Sequence, residues 1–240
     1  MALAYGQSPF WPVWAALLHS VQTGQPAFRQ VFGGDIFEYY PEHPDQAALF
    51  NDLMTDLTAG VAPTVAEAFD FAAVTSLVDV GGGHGRMLAA ILRAHPHLHG
   101  VLVDLPHVVA EAPTLLEAAG VGGRCRVVGG DAFTAVPAGH DAYLLSRVIH
   151  DWDDERATTL LARVREAMAA DARLLLVERL LPDDAPPLHM LQSDVIMLVA
   201  PGGRERTETE YQHLLAATGF RLTGHQPVLE PYALIEATPE

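Results

Sequence analysis

The stretch Ser76-Leu77-Val78-Asp79-Val80-Gly81-Gly82-Gly83-His84-Gly85-Arg86 decides the fold prediction, because a short apolar run leads directly into a glycine-rich turn. The run predicts a buried strand, and the residues after the glycines place apolar side chains at helical spacing. A strand, a glycine turn and a helix in this order are typical of the first unit of a parallel α/β sheet. Ligands of such sheets bind at the carboxyl ends of the strands, so this turn is the first candidate binding site.

The same alternation of strands and helices continues along the chain from residue 76. Strands are predicted at 76–80, 100–104, 124–128, 142–148, 173–177, 220–223 and 233–237. Helices are predicted between them at 85–95, 106–119, 154–170 and 209–218, and before them at 11–21, 45–57 and 61–69. We therefore predict a mostly parallel α/β domain at residues 71–240 with an antiparallel C-terminal edge. A helical segment at residues 1–70 precedes it and contributes to the substrate pocket.

Composition excludes several classes of protein. Half of the 240 residues are apolar and 18% are charged, which predicts a sizeable core and argues against a disordered chain. The net charge of −16 repels phosphate backbones and anionic lipid, so neither nucleic acid nor a membrane is expected as a partner. Cys125 is the single cysteine, which excludes an internal disulfide. With no signal-like N-terminus and no long apolar run, we predict a soluble, cytoplasmic protein.

The glycine turn has two ligand interpretations besides that of a simple bend in the chain. A dinucleotide fingerprint that begins at Gly81 requires a third glycine at position 86, which holds Arg86. Asp79 adds a carboxylate that would repel a pyrophosphate but attract an ammonium group. S-adenosylmethionine, a sulfonium with an amino-acid tail, is such a ligand. A nicotinamide dehydrogenase remains the alternative, and both Asp79 and Arg86 disfavour it.

Acidic residues also follow the second and third predicted strands. Asp104 ends the second strand, where a carboxylate can accept from both ribose hydroxyls. Asp131 follows the third strand and can accept from an adenine amino group, with Phe133 or Trp152 as an apolar wall. Each aspartate alone is also a common helix cap or turn residue. Acids at three successive strand ends favour a binding site.

His150 follows the fourth predicted strand and is the candidate catalytic group. A histidine there can act as a general base on a substrate hydroxyl, although many histidines are merely satisfied or exposed residues. Glu178, at the end of the next strand, and Glu205, in a glycine-rich loop, can orient the imidazole and stabilise its charged form. The acidic run at 151–155 is expected to start a helix rather than to bind metal, so no metal site is predicted.

Together these residues resemble the S-adenosylmethionine-dependent O-methyltransferases of the plant caffeate type and their bacterial relatives that act on secondary metabolites. The matching stretches are 50–54, 77–85, 103–106, 128–133, 145–154, 177–178, 194–198 and 202–207. The resemblance implies a Rossmann-like class I methyltransferase sheet, with S-adenosylmethionine as cofactor and S-adenosylhomocysteine as product. It also implies methylation of a hydroxyl, of phenolic type, on an aromatic or polyketide-type small molecule.

The resemblance further implies roles for individual residues. His150 is the base, flanked by Glu178 and Glu205. The implied cofactor contacts are Asp79, Gly81, Gly83, Asp104, Leu105, Asp131, Ala132, Phe133, Ser146 and Arg147, with Thr58 near the cofactor carboxylate. The implied acceptor contacts are Trp14, Phe50, Asn51, Met54, Met190, Asp194 and Met197. The methionines have core packing as the alternative, since methionine is a flexible filler.

Two departures from the family pattern bear on function. Family members normally begin with a winged-helix-like dimerisation domain, and this chain starts at or just after the end of that domain. Phe10, Trp11 and Trp14 are therefore expected to be incompletely covered, which predicts pairing with a second copy or with a separate chain. A cofactor-binding relative that does not methylate, or that acts as a partner subunit, is the alternative function. Residues 198–202 also lack the polar pair of some plant members, so acceptor preference does not transfer.

Overall fold

A mixed sheet organises residues 9–240, the part of the chain that this computed structural model describes. Its strands are β1 (Ser76–Val80), β2 (His99–Asp104), β3 (Cys125–Gly129), β4 (Ala142–Ser146), β5 (Arg173–Leu181), β6 (Arg206–Thr207), β7 (Phe220–Pro227) and β8 (Tyr232–Pro239). The strand order is β3-β2-β1-β4-β5-β8-β7, and β6 pairs with the end of β5. Strands β1 to β5 run parallel, whereas β8 is antiparallel to both β5 and β7. The predicted fold class is confirmed.

Helices precede the sheet and cover it. The first group is α1 (Phe10–Ala15), α2 (Leu17–Thr23), α3 (Ala27–Phe32), α4 (Ile36–Tyr39) and α5 (Pro44–Ala68). The second is α6 (Arg86–Ala94), α7 (Pro106–Val109), α8 (Ala112–Ala118), α9 (Asp154–Ala167), α10 (Leu188–Val199) and α11 (Glu208–Ala217). Short 3₁₀ turns lie at Tyr40–Glu42, Gly122–Arg124 and Ile149–Asp151. None of the helices in this described part is long and apolar enough to cross a membrane.

Both faces of the sheet are buried, which explains the nearly continuous apolar strands. On β1, Leu77 belongs to a core cluster that includes Leu88 of α6. Val78 points to the other face and belongs to a cluster that includes Leu161 of α9. Because helices cover both faces, the open edge at the carboxyl ends of the parallel strands is where a ligand can enter.

The N-terminal helices differ from the prediction in two places. The predicted helices at 45–57 and 61–69 are one helix, α5, that continues through Pro63. Val61 and Val65 are buried in the sheet's core cluster beside α6, and this packing offsets the backbone hydrogen bond that a proline removes. The predicted helix at 11–21 instead breaks at Ala16, whose ψ of 10° ends α1. The predicted division of the chain at residue 70 stays a prediction.

Candidate functional site at the carboxyl edge of the sheet

A cavity of about 540 Å³ lies at the carboxyl ends of the central strands, between them and helices α4 and α5. This volume suits a small organic ligand. Its walls include these residues singled out from the sequence: Phe50, Asn51, Met54, Thr58, Asp79, Gly81, Gly83, Asp104, Leu105, Asp131, Ala132, Phe133, Ser146 and Arg147. The parallel topology therefore gathers residues from five separate stretches of the chain into one site.

The glycine turn shapes the floor of the cavity. The amide of Gly81 donates to the carbonyl of Val103 at 2.8 Å, and the amide of Gly83 donates to Oδ2 of Asp104 at 2.7 Å. Gly81 has a φ of 70°, in the left-handed region that favours glycine. A Cβ on Gly82 would lie 2.5 Å from Oδ2 of Asp79. A side chain at position 82 is thus excluded from this turn, which leads from β1 to α6 and is hydrogen-bonded to the end of β2.

Unpaired polar atoms lie on the neighbouring strands β1 and β4. The Asp79 side chain is fully buried, and neither carboxyl oxygen meets a donor at hydrogen-bonding geometry. Burial, together with the nearby Asp104 carboxylate, raises the pKa of Asp79 to about 7. Oγ of Ser146 and Nε of Arg147 are also buried without a partner. A carboxyl group beside a hydroxyl and a guanidinium complements the ammonium and carboxylate of an amino-acid tail.

Arg147 ends β4 earlier than the sequence predicted. Its φ of 57° is left-handed, so the strand stops at Ser146 instead of continuing to residue 148. This backbone geometry directs the guanidinium towards α5, where Nη2 donates to the carbonyl of Met54 at 3.2 Å and to Oγ1 of Thr58. The arginine thereby joins the N-terminal helices to the edge of the sheet.

Aspartates and aromatic rings form the far end of the cavity. Oδ1 of Asp104 accepts from the amide of Leu105 at 2.7 Å, and Oδ1 of Asp131 accepts from the amide of Phe133 at 2.9 Å. Burial raises the pKa of Asp104. The Phe133 and Trp152 rings meet edge to face, with centroids 4.9 Å apart. The Arg156 guanidinium stacks over both rings. The two rings therefore form a flat, apolar surface next to the Asp104 and Asp131 carboxylates.

Four predicted acceptor contacts are not among the cavity's lining residues. Trp14 packs instead against the cluster formed by the N-terminal helices, and Met190 is buried on α10. Oδ1 of Asp194 accepts from the amide of Glu205 at 2.9 Å. The carbonyl of Met197 accepts from the amides of Gly202 and Gly203 at the end of α10. The predicted roles of these four residues as acceptor contacts stay predictions.

The three predicted catalytic residues meet behind one wall of the cavity. Nδ1 of His150 lies 3.3 Å from Oε1 of Glu205 and 3.8 Å from Oε2 of Glu178. Oε1 of Glu178 accepts from the amides of Val148 and Ile149 at 3.0 and 2.8 Å, which fixes the turn that carries the histidine. All three side chains are buried. The carboxylates of Glu178 and Glu205 therefore both lie beside the same imidazole nitrogen, Nδ1.

The charge of His150 differs from that of an ordinary histidine. Burial lowers its pKa, but the Glu178, Glu205 and Asp151 carboxylates outweigh burial and raise the pKa to about 9. Burial raises the pKa of Glu178, whereas for Glu205 the neighbouring His150, Arg179 and Ser193 outweigh burial and lower the pKa to about 2. The surrounding carboxylates therefore favour the protonated, charged form of this imidazole.

Asp151 is a site residue that the sequence reasoning assigned only to the start of a helix. It lines the cavity, and its Oδ1 lies 3.7 Å from Nε2 of His150. Burial raises its pKa to about 6. Asp153 is the residue that caps α9, through a bond from the amide of Arg156 at 2.8 Å. The sequence signal that could have identified Asp151 as a site residue is its position directly after His150, the candidate base.

Other lining residues were missed because they lie in the N-terminal helices. Phe37 and Tyr40 line the cavity from α4 and the following 3₁₀ turn, and the Phe37 ring lies 5.0 Å from that of Trp152. The aromatic run at residues 37–40 was the available signal. The prediction that no metal takes part in the site stays a prediction.

Comparison with known proteins is consistent across sequence and structure. The model of the O-methyltransferase domain family matches residues 14–221. The chain is 47% identical to O-demethylpuromycin-O-methyltransferase of Streptomyces alboniger, over 98% of this chain and 64% of that protein. It is 42% identical to phenazine O-methyltransferase PhzM of Lysobacter antibioticus, over 99% of this chain and 70% of that protein.

A solved structure extends the likeness to three dimensions. The O-methyltransferase NcsB1 from neocarzinostatin biosynthesis, crystallised with S-adenosylmethionine and 2-hydroxy-5-methyl naphthoic acid, superposes with a TM-score of 0.90 at 33% identity. The match covers 99% of this chain and 70% of NcsB1. The chain thus spans about two thirds of the length of the proteins that it matches here.

Proposed function

Because the chain belongs to the O-methyltransferase domain family, we propose that it transfers a methyl group from S-adenosylmethionine to a hydroxyl of an aromatic small molecule, with His150 as general base. The acceptor hydroxyl is of phenolic type, on an aromatic or polyketide-type scaffold. The observation that supports this most strongly is the pairing of a carboxylate-flanked imidazole with a cavity whose unpaired polar atoms complement an amino-acid tail.

The cavity residues divide between the two ends of the cofactor. Asp79 would hold the ammonium group, while Ser146, Arg147 and Thr58 would hold the carboxylate. Asp104 would accept from the ribose hydroxyls. A separate set would enclose the adenine ring and its amino group: Leu105, Asp131, Ala132, Phe133 and Trp152. When bound, S-adenosylmethionine supplies an electrophilic methyl group on a sulfonium.

Phe50, Asn51 and Met54 of α5 would position the acceptor. They form a mostly apolar surface with one amide, which suits a flat aromatic ring. Holding the reacting oxygen in line in such a pocket contributes roughly 7–11 kcal/mol to catalysis in favourable cases. Positioning therefore supplies a large part of the rate, and the base supplies the rest.

Nε2 of His150 would accept the proton of the acceptor hydroxyl. Glu205 and Glu178, which lie beside Nδ1, would stabilise the positive charge that the imidazole then carries. An ordinary imidazole lies about 3.5 pK units below a phenol, a gap of roughly 5 kcal/mol. With its pKa at about 9, His150 lies about one unit below the phenol, or about 1.4 kcal/mol. Freeing the imidazole of its resting proton at pH 7 costs about 2.7 kcal/mol instead. The carboxylates thus lower the free energy needed to transfer the proton from the phenol to His150, but they raise the free energy needed to deprotonate His150 beforehand.

This exchange predicts a specific pH dependence. Because the base must be unprotonated, kcat/KM is expected to rise with pH up to an apparent pKa near 9. Glu178→Gln keeps an acceptor for the two backbone amides but removes a charge that stabilises the imidazolium. We expect this variant to move the rising limb to lower pH by about one unit. Initial rates from pH 6 to 10 measure it, and a limb that stays in place or moves upward contradicts the role of Glu178.

A methyl-transfer assay tests the proposed function itself. The chain is incubated with S-adenosylmethionine labelled in the methyl group and a panel of phenols, and label is counted in the organic product. Calorimetric titration with S-adenosylhomocysteine and with NAD runs in parallel. Binding of the former without any transfer would favour a non-methylating relative, and binding of NAD alone would favour a dehydrogenase.

Self-association is a second part of the proposal. Trp11, Leu18 and Val21 on α1 and α2 are 65–68% exposed, and apolar side chains of this size favour a partner. We expect a second copy or a separate chain to cover them. Light scattering on the active protein measures this, and a strict monomer with full activity contradicts it.

A further inference from the structure

Arg179 lies beside the proposed base but outside the cavity. It follows Glu178 on β5 and pairs in register with Tyr232 on β8. Nη2 of Arg179 donates to the Tyr232 hydroxyl at 2.9 Å, and the guanidinium carbon lies 4.7 Å from the centre of that ring. The side chain is 18% exposed. The antiparallel edge of the sheet thus holds this arginine in one place.

The other end of the guanidinium contacts Glu205. Nη1 donates to Oε1 of Glu205 at 3.0 Å, and the same oxygen accepts from Oγ of Ser193 at 2.6 Å. That carboxylate also approaches Nδ1 of His150 at 3.3 Å. The Glu205 carboxylate therefore lies between a fixed cation and the imidazole.

Charged and titratable side chains surround His150, Glu178 and Glu205 on the neighbouring elements. Counting the two glutamates, they are Glu178 and Arg179 from β5, Glu205 and Arg206 from the segment at β6, Arg147 and Asp151 from the histidine's own turn, Asp194 from α10 and Tyr211 from α11. Arg206 pairs with Asp154 at 2.7 Å. Arg147 bonds to Met54 and Thr58 on α5. Of these three arginines, Arg179 is the one that forms an ion pair with a carboxylate in contact with His150.

We propose that Arg179 is a positioning residue for the base that acts through its charge: paired with Glu205, which Ser193 also holds, it offsets part of the negative charge that keeps a proton on the imidazole. This inference rests on the proposed function for its effect on catalysis, but its effect on His150 is independent of activity. Without the arginine, Glu205 would act on the imidazolium without compensation. The unprotonated base would then become scarcer at neutral pH.

A histidine titration in the free protein tests this directly. The imidazole signals are followed by NMR across pH, and the His150 signal is assigned by its loss in His150→Ala. Arg179→Met is expected to raise the pKa of His150 by about one unit, because it removes the cation paired with the carboxylate that contacts Nδ1. Glu205→Gln is expected to lower it. In the Glu205→Gln background, Arg179→Met is expected to cause a smaller change, because the ion pair through which the arginine mainly acts is gone.

Matched variants separate charge from fold. Arg163, in an exposed pair with Glu166 at 2.7 Å, is the control, and Arg163→Met is expected to leave the titration unchanged. Arg179→Lys restores the charge and is expected to bring the titration back towards wild type. The rising limb of kcat/KM against pH should move with the titration in Arg179→Met, which lowers kcat/KM about tenfold below the wild-type pKa and leaves the high-pH plateau in place.

Several results would overturn the inference. An unchanged or lowered pKa of His150 in Arg179→Met, or a shift of undiminished size in the Glu205→Gln background, removes Arg179 from the role. A loss of kcat/KM that is equal at every pH shows a merely structural residue. Arg179→Gln carries the same test if the methionine variant fails to fold. If the expected NMR shifts occur but wild-type protein transfers no methyl group, the arginine's role stands and the proposed function fails.

Discussion

Replacing His150 by alanine is expected to lower kcat by about 10²–10⁴-fold, the usual contribution of a positioned acid–base group. The affinity for S-adenosylhomocysteine is expected to stay nearly unchanged. The reason is spatial, because the residues proposed to hold the cofactor line the cavity and His150 is not one of them. Single-turnover methyl transfer gives the first quantity, and calorimetric titration gives the second.

His213→Ala is the matched control, because His213 is exposed on α11. It should leave both kcat and cofactor affinity as they are. If His150→Ala turns over at nearly the wild-type rate between pH 6 and 10, catalysis depends on positioning alone. If it instead loses the cofactor, His150 belongs to the binding site and not to the proton transfer.

Asp104→Ala is expected to raise the Kd for S-adenosylhomocysteine by about 100-fold or more. Two hydrogen bonds from ribose hydroxyls to a carboxylate contribute about 1.5–3 kcal/mol each, and every 1.4 kcal/mol is tenfold in Kd. The substitution also removes the acceptor for the amide of Gly83, which loosens the glycine turn. Calorimetric titration of the variant measures the change.

Asp171→Ala provides the control for Asp104→Ala, since Asp171 is exposed in the loop before β5. Its Kd should match that of wild type. At saturating cofactor, Asp104→Ala is expected to keep a kcat close to wild type, because the carboxylate contacts no reacting atom. An unchanged Kd in Asp104→Ala would show that the ribose lies elsewhere.

The sequence was most informative where local pattern and topology act together. The run before Gly81 and the aspartates at positions 79, 104 and 131 were recognisable because parallel strands bring their carboxyl ends to one edge. The same rule brought His150 and Glu178 to neighbouring strand ends. The fold class and the aspartates of the cavity followed from these patterns, whereas Leu105, Ala132, Ser146 and Arg147 were implied by the family resemblance.

Contacts between segments that are distant in the chain could not be predicted from the sequence patterns. The predicted helices at 45–57 and 61–69 are one continuous helix, α5, and the burial of Val61 and Val65 against the sheet stabilises it across the predicted gap. Arg179 meets Glu205 through the pairing of β5 with β8, which no spacing reveals. The elevated pKa of His150 depends on carboxylates from three segments that together outweigh burial, and it could not be assigned from residue type.

The most direct test of the proposed site is a crystal structure of the chain soaked with S-adenosylhomocysteine and a phenol. We expect the ligand's ammonium group at Asp79, its carboxylate at Arg147 and the phenol oxygen within hydrogen-bonding distance of Nε2 of His150. An empty crevice beside Gly81, or a phenol oxygen out of reach of His150, would contradict the assignment of cofactor and base.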